Sequence, residues 1–195
     1  STPVRAATLT VCASGCDYTT ANAALAAATT GDIVEVQGGA ASPYSSSTEV
    51  WPITFPSVSS TLTCTGGASI GQTSAVSSNL IYLSTSSTVT GCTFGNVSLR
   101  SVSVGSNAVA GVRITNNTFS STVTSTIELV YGARNFEISG NTNINFLSLS
   151  ATSTNGLIQS NTFYGRMGNI DSVAMFVSSA SSSQLRIFSN TFTSY

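Results

Sequence analysis

The chain contains no histidine and no lysine, and only 7% of its 195 residues are charged, six arginines against seven acids for a net charge of −1. About a quarter of residues are charged in an ordinary soluble domain, so this surface is built from other material. Without histidine or lysine, Ser–His and Cys–His pairs and lysine-activated nucleophiles are excluded. No basic cluster exists to release counterions from nucleic acid or to hold an anionic lipid surface. Neither nucleic acid nor a membrane is therefore an expected partner. No apolar run approaches the ~18 residues of a spanning helix.

What is present is 41% apolar residues, with serine and threonine filling most of the remainder. The aliphatic and aromatic residues are regularly placed, so the chain can bury a core and is not expected to be disordered. Its length fits one domain. The start at Ser1 suits a mature secreted product, and four cysteines, an even number, suit an oxidising compartment if they pair.

A repeat organises the second half. Arg113-Ile-Thr-Asn-Asn-Thr-Phe119, Glu137-Ile-Ser-Gly-Asn-Thr-Asn143, Leu157-Ile-Gln-Ser-Asn-Thr-Phe163 and Arg186-Ile-Phe-Ser-Asn-Thr-Phe192 share an aliphatic residue three before an Asn-Thr pair. Thr88-Val-Thr-Gly-Cys-Thr-Phe94 has the same shape with Cys92 in place of the asparagine, and Cys64-Thr65 is an earlier, weaker member. The register marks Cys64, Cys92, Asn117, Asn141, Asn161 and Asn190 are spaced by 28, 25, 24, 20 and 29 residues. A fixed core between variable loops is the signature of a solenoid. Val89, Ile114, Ile138, Ile158 and Ile187 lie three before the marks, and Val112, Phe136 and Leu185 lie five before. This period of two predicts strands with one buried face.

Coils of this size leave little room for βαβ crossovers and suit a three-strand turn. The fold expected is all-β: a right-handed parallel β-helix in one domain, with residues 1–31 as an N-terminal cap and 32–195 as coils. At each mark the backbone turns a corner. An asparagine there can accept the unusual dihedral and hydrogen-bond to its neighbours in the stack, forming an internal ladder. Cys64 and Cys92 fall on adjacent rungs, where a strand spacing of about 4.8 Å permits a disulfide; a reduced apolar stack is the alternative. Arg113 and Glu137 share a register position and should form a surface ion pair.

The N-terminal segment reads as a strand Thr8–Val11, a tight loop from Cys12 to Cys16 that a disulfide can close, and an alanine-rich helix over Thr20 to Thr29. Thr19 or Thr20 can cap this helix and Gly31 can end it, before a strand Ile33–Val36. Gly15-Cys16-Asp17-Tyr18-Thr19, Ala23 to Ala28 and Gly31-Asp32-Ile33-Val34 together resemble the opening of the pectin-lyase-like right-handed β-helix superfamily, particularly its extracellular bacterial members. The resemblance covers about a fifth of the chain. It implies the fold, a helical cap and an extracellular setting, and fold does not carry activity with it.

Polysaccharide-cleaving members of that superfamily use a basic proton abstractor beside calcium-binding carboxylates, or two to three clustered aspartates. Neither constellation is visible here. The candidates for paired carboxylates are Glu128 with Glu137, or Asp171 with a partner from another rung. The cysteines do not form a metal-binding set, and no loop has calcium spacing. No catalytic residue, metal or cofactor is expected. Arg100, Arg134 and Arg166 with Tyr131 and Tyr164 are candidates for gripping an acidic sugar. A flat threonine face that orders ice is disfavoured, because no strand shows a sustained Thr-x-Thr run.

The expected function is that of a non-enzymatic extracellular structural protein, a surface-filament subunit or adhesin segment whose partner is another copy of itself. The alternative is a polysaccharide-binding or lyase-like β-helix. The helix is apolar nearly all round and so expects burial on both sides. Asn190-Thr-Phe192 is followed only by Thr193, Ser194 and Tyr195, which leaves that coil uncovered. Ala23, Ala24, Ala27, Phe192 and Tyr195 are thus the candidates for head-to-tail assembly. A fragment of a longer solenoid has the same signature.

Overall fold

Alternating side chains make each repeat core a strand with one apolar edge, and a single strand cannot bury that edge alone. Stacking successive coils in parallel solves the problem, and the computed structural model shows an all-parallel β-solenoid of about five turns with one α-helix among the described residues. It describes residues 5–39, 44–71, 79–95, 97–101, 109–119, 126–129, 133–149, 153–165, 175–177 and 184–194.

The longest sheet has eight strands: β1 (Thr8–Val11), β2 (Ile33–Gln37), β4 (Ser60–Thr65), β7 (Ser87–Thr90), β10 (Arg113–Thr115), β13 (Glu137–Ser139), β15 (Leu157–Gln159) and β18 (Arg186–Phe188). A second face holds β3 (Ile53–Thr54), β6 (Asn79–Leu83), β9 (Val97–Ser101), β12 (Thr126–Leu129), β14 (Phe146–Leu149) and β17 (Met175–Val177). The third face is made of short strands: β5 (Ser69–Ile70), β8 (Thr93–Phe94) and β11 (Thr118–Phe119) in one group, β16 (Thr162–Gly165) and β19 (Thr191–Ser194) in another.

Register converts the sequence repeat into columns. Val34, Leu62, Val89, Ile114, Ile138, Ile158 and Ile187 pair one below the other, and all but Ile187 are fully buried. Ile53, Ile81, Leu99, Ile127 and Leu147 form the matching column on the second face. On the third, Ile70, Phe94 and Phe119 stack, the two rings 5.5 Å apart. The coil with Asn143 where its neighbours carry phenylalanine keeps this column by a local detour. Asn143 takes a left-handed φ of 61°, and the next residue, the buried Ile144, points inward instead and bridges to Phe163.

Corners differ from expectation in one respect. The ladder asparagines do not carry the unusual dihedral; the residue before each mark does. Gly91, Asn116, Gly140, Ser160 and Ser189 all have φ between 54° and 68°. A second left-handed column, Ser86, Gly111, Asn135, Asn155 and Gln184, precedes the same strands. Each strand of the long sheet from β7 onward is thus bracketed by two such turns. Gly140 also makes room: a Cβ there would lie 2.4 Å from Asn116 Oδ1. Threonines on the outer face run deeper than the sequence reading allowed, since Thr61-x-Thr63 on β4 and Thr88-x-Thr90 on β7 pair in register.

The cap begins with helix α1 (Ala21–Ala27), whose first turn is capped by Thr20 Oγ1 accepting from the Ala23 N–H. It ends at Ala28 with extended backbone rather than at Gly31. Gly31, at φ 91°, instead turns the chain into β2 and donates its N–H to Ser59. Ala21, Ala24, Leu25 and Ala28 are buried in the core, whereas Ala23, Ala26 and Ala27 are exposed. The helix therefore buries one side within its own molecule, and Ala24 is not free for assembly. The outer edge of β1 is covered as well. The Thr10 N–H donates to Asp17 Oδ2, the Tyr18 N–H to the Thr10 carbonyl and the Cys12 N–H to the Tyr18 carbonyl, which removes a strand edge from solvent.

Gly156 tests this packing. A Cβ at that position would sit 2.1 Å from Phe136 Cζ and 2.7 Å from Leu185 Cδ1, so Gly156→Ala is expected to cost about 1–3 kcal/mol by overpacking. Thermal unfolding checks it; an unchanged midpoint contradicts the stacking of Phe136 on Gly156.

Candidate functional site

The chemical feature that runs along the molecule is the asparagine ladder. Asn117, Asn141 and Asn161 are each 1% exposed and must find partners inside the protein. They find them in each other. The backbone N–H groups of Cys92, Asn117, Asn141 and Asn161 donate to Oδ1 of Asn117, Asn141, Asn161 and Asn190 respectively, at 2.9–3.0 Å. The same Oδ1 atoms of Asn141, Asn161 and Asn190 also accept from the Nδ2 of the preceding asparagine. Each Nδ2 then reaches back to a carbonyl one coil earlier: Asn117 to Val89, Asn141 to Ile114, Asn161 to Ile138 and Asn190 to Ile158. Every amide thus clamps neighbouring coils at one corner.

Both cysteine pairs are bridged. Cys12–Cys16 closes the small loop over the edge of β1, and Cys64–Cys92 joins consecutive coils with a Cα separation of 4.8 Å. That separation is the direct spacing of neighbouring strands, so Cys64 lies beside Cys92 as the repeat predicts. Counted from the register pair Leu62 and Val89, Cys64 comes one residue earlier in its coil than Cys92 does, and the left-handed Gly91, at φ 68°, takes up the difference. The asparagine hydrogen bonds begin at Cys92, whose N–H donates to Asn117.

The surface candidates disperse. Arg113 Nη1 and Glu137 Oε2 form the expected pair at 2.8 Å, with the arginine side chain 61% exposed, a contact worth under about 1 kcal/mol. Glu128 lies on the second face and Glu137 on the first, so the structure does not bring these carboxylates together on one sheet. Glu128 is the register partner of Arg100 instead. Arg134 is exposed and Tyr164 half-buried on a different strand. Arg166, Tyr131, Asp171 and Tyr195 lie outside the described residues. Among the described residues no group of three metal-ligating side chains assembles. Of the assembly candidates, Ala23 and Ala27 are exposed and Phe192 is 59% exposed, beside the exposed Ile187 and Phe188. Asn155, Gly156, Gln184 and Arg186 line an open groove of about 520 Å³.

Sequence reasoning missed Glu49. It is nearly buried, yet it receives the first two helical N–H groups, from Ala21 at 2.8 Å and Asn22 at 3.1 Å, together with the Tyr44 hydroxyl at 2.7 Å. A carboxylate at a helix N-terminus is favourable, but nothing local places a residue 28 positions away there. Burial, and then the adjacent Glu49 charge, hold the Tyr44 phenol far above its usual range, so it remains a donor. In the sequence Asp32 shows only as part of a Gly-Asp pair before a strand. It accepts from the N–H groups of Ala7 and Thr29 and from Thr29 Oγ1, and these bonds lower its pKa.

With this geometry in hand, comparison with family models, curated proteins and solved structures returns no match to the chain.

Three variants measure the ladder and its staple. Asn141→Leu leaves the Asn117 N–H and the Ile114 carbonyl without their partner, at about 1–3 kcal/mol for each buried group, whereas Asn190→Leu, on a half-exposed coil, is expected to cost less. Denaturant unfolding of the two side by side checks the order. Replacing Cys64 and Cys92 together by alanine opens a 28-residue loop and should lower stability by about 3–4 kcal/mol, an effect that addition of reductant to the native chain should reproduce in part.

Proposed function

We propose that this chain is a non-enzymatic extracellular structural protein, a filament subunit or adhesin segment built as a stapled rod. The observation that supports it best is the unbroken clamp along one corner: a disulfide between coils, then a ladder in which Asn117, Asn141, Asn161 and Asn190 each bond across neighbouring coils. These bonds resist separation of coils along the axis, which is what a load-bearing or display element requires. Two disulfides suit an oxidising, extracellular environment, in keeping with the setting that the pectin-lyase-like resemblance implies.

Self-association in this reading brings the outer helix face, Ala23 and Ala27, against the exposed Ile187, Phe188 and Phe192 of another copy, a heterologous contact that repeats. Light scattering and electron microscopy over a range of concentrations test it. Rods that lengthen with concentration, and that shorten when Phe192 is changed to Asp, are the expected result; a monomer at every concentration overturns the assembly. A second reading, polysaccharide binding, draws on the groove at Asn155, Gln184 and Arg186, whose amide and guanidinium groups suit sugar hydroxyls and carboxylates. Binding on a glycan array that disappears in Arg186→Ala favours it, and release of reducing or unsaturated sugar ends would overturn the non-enzymatic assignment.

A further inference from the structure

The polar clamps of the coils are amides, which do not titrate near neutral pH. Those of the cap are carboxylates. Asp17 Oδ2 accepts from the Thr10 N–H and hydroxyl at 2.9 and 2.8 Å, holding the loop against the edge of β1. Asp32 ties the entry to β1 to the end of the helical segment through Ala7 and Thr29, both at 2.7 Å. Glu49 holds the start of α1 through Ala21 and Asn22 and also accepts from the Val50 N–H at 3.1 Å. Three of the chain's seven acids are used in this way.

We propose that the N-terminal cap is an acid-released lid: protonation of Asp17 and Asp32 frees the loop over β1 and the helical segment while the coils stay folded. Each carboxylate serves only as an acceptor of N–H and O–H donors, and a protonated carboxyl is a poor acceptor that brings a donor of its own. Among the described residues no cation pairs with these carboxylates. Arg5, on the approach to β1, is exposed and bonds to none of the three. Glu35 on β2 is engaged by Gln37 and Thr65, and Tyr18 meets β1 through its backbone. Among the described residues Tyr44 is the one titratable side chain bonded to any of them, as a donor to Glu49.

Covalent links do not oppose release. Cys12–Cys16 closes within the cap and Cys64–Cys92 joins two coils, so neither ties lid to body. The donors that face Asp17 and Asp32 hold both below the ordinary aspartate value of 3.8. Folded values below the unfolded one mean that their stabilisation is complete above pH 3.8 and is lost as pH falls through the lower, folded values. Release uncovers the outer edge of β1 and the apolar end of the core now covered by Ala21, Ala24, Leu25 and Ala28.

The chain's single tryptophan makes the event visible, because Trp51 belongs to the segment that follows Glu49 and packs against the core. Titration of the native, oxidised chain from about pH 7 to about pH 2 should change Trp51 fluorescence below pH 3.8 while the far-ultraviolet strand signal is retained. Glu49→Gln and Asp32→Asn should each move the fluorescence transition upward in pH, the first remaining informative if the second fails to fold. A fluorescence signal flat across the range overturns the proposal. So does a transition that coincides with loss of the strand signal, or one that neither variant shifts.

Discussion

Everything in this molecule depends on keeping successive coils in one register. A strand shifted by one residue turns its apolar side chains outward, and the coils from β4 to β18 are joined by corners of unequal length that cannot set the register themselves. The buried asparagines set it. A polar group inside a core costs about 1–3 kcal/mol if it lacks a partner, so Asn117, Asn141 and Asn161 are each tolerable only directly in line with their neighbours. The apolar columns of Ile114, Ile138 and Ile158 and the stacked rings of Phe94 and Phe119 follow from that alignment.

The cap solves a different problem with different chemistry. A stack needs neighbours above and below, and the first coil has one neighbour only. Helix α1 covers the core's cross-section, and the Cys12–Cys16 loop covers the strand edge. Because no ladder reaches this end, the chain pins the cover with single carboxylates placed against backbone donors, one of them reaching from Glu49 across 28 residues.

Much of this was legible in the sequence because it is periodic. Alternation gave the buried face of each strand, the Asn-Thr pairs gave the ladder corner, and the shared offset of Arg113 and Glu137 gave their ion pair. What escaped is aperiodic. Cys64 stands beside Cys92, but it comes one residue earlier in its coil, an offset that appears only once Leu62 is paired with Val89. Asn143 occupies a phenylalanine position in the repeat, yet the left-handed turn it adopts delivers Ile144 to the core. The strained corner belongs to the residue before each asparagine, and the run Gly91, Asn116, Gly140 hinted at it through the two residue types that most readily accept such a φ. Glu49 left no local signal, since its role is created by tertiary packing.

The ladder also has a direction. Along the corner every backbone donor from Cys92 to Asn161 points to the coil that follows it, and every Oδ1 from Asn117 to Asn190 faces the coil before. The column of backbone N–H groups and Oδ1 acceptors is therefore a vector rather than a symmetric rung-by-rung glue, even though each Nδ2 also reaches back to the coil before. Insertion of a whole extra coil preserves that sense wherever it is placed, whereas a coil entering upside down would meet donor with donor. Coils of 20 or 29 residues between marks are equally admissible, so the architecture can grow or shrink by whole turns, but with one polarity only.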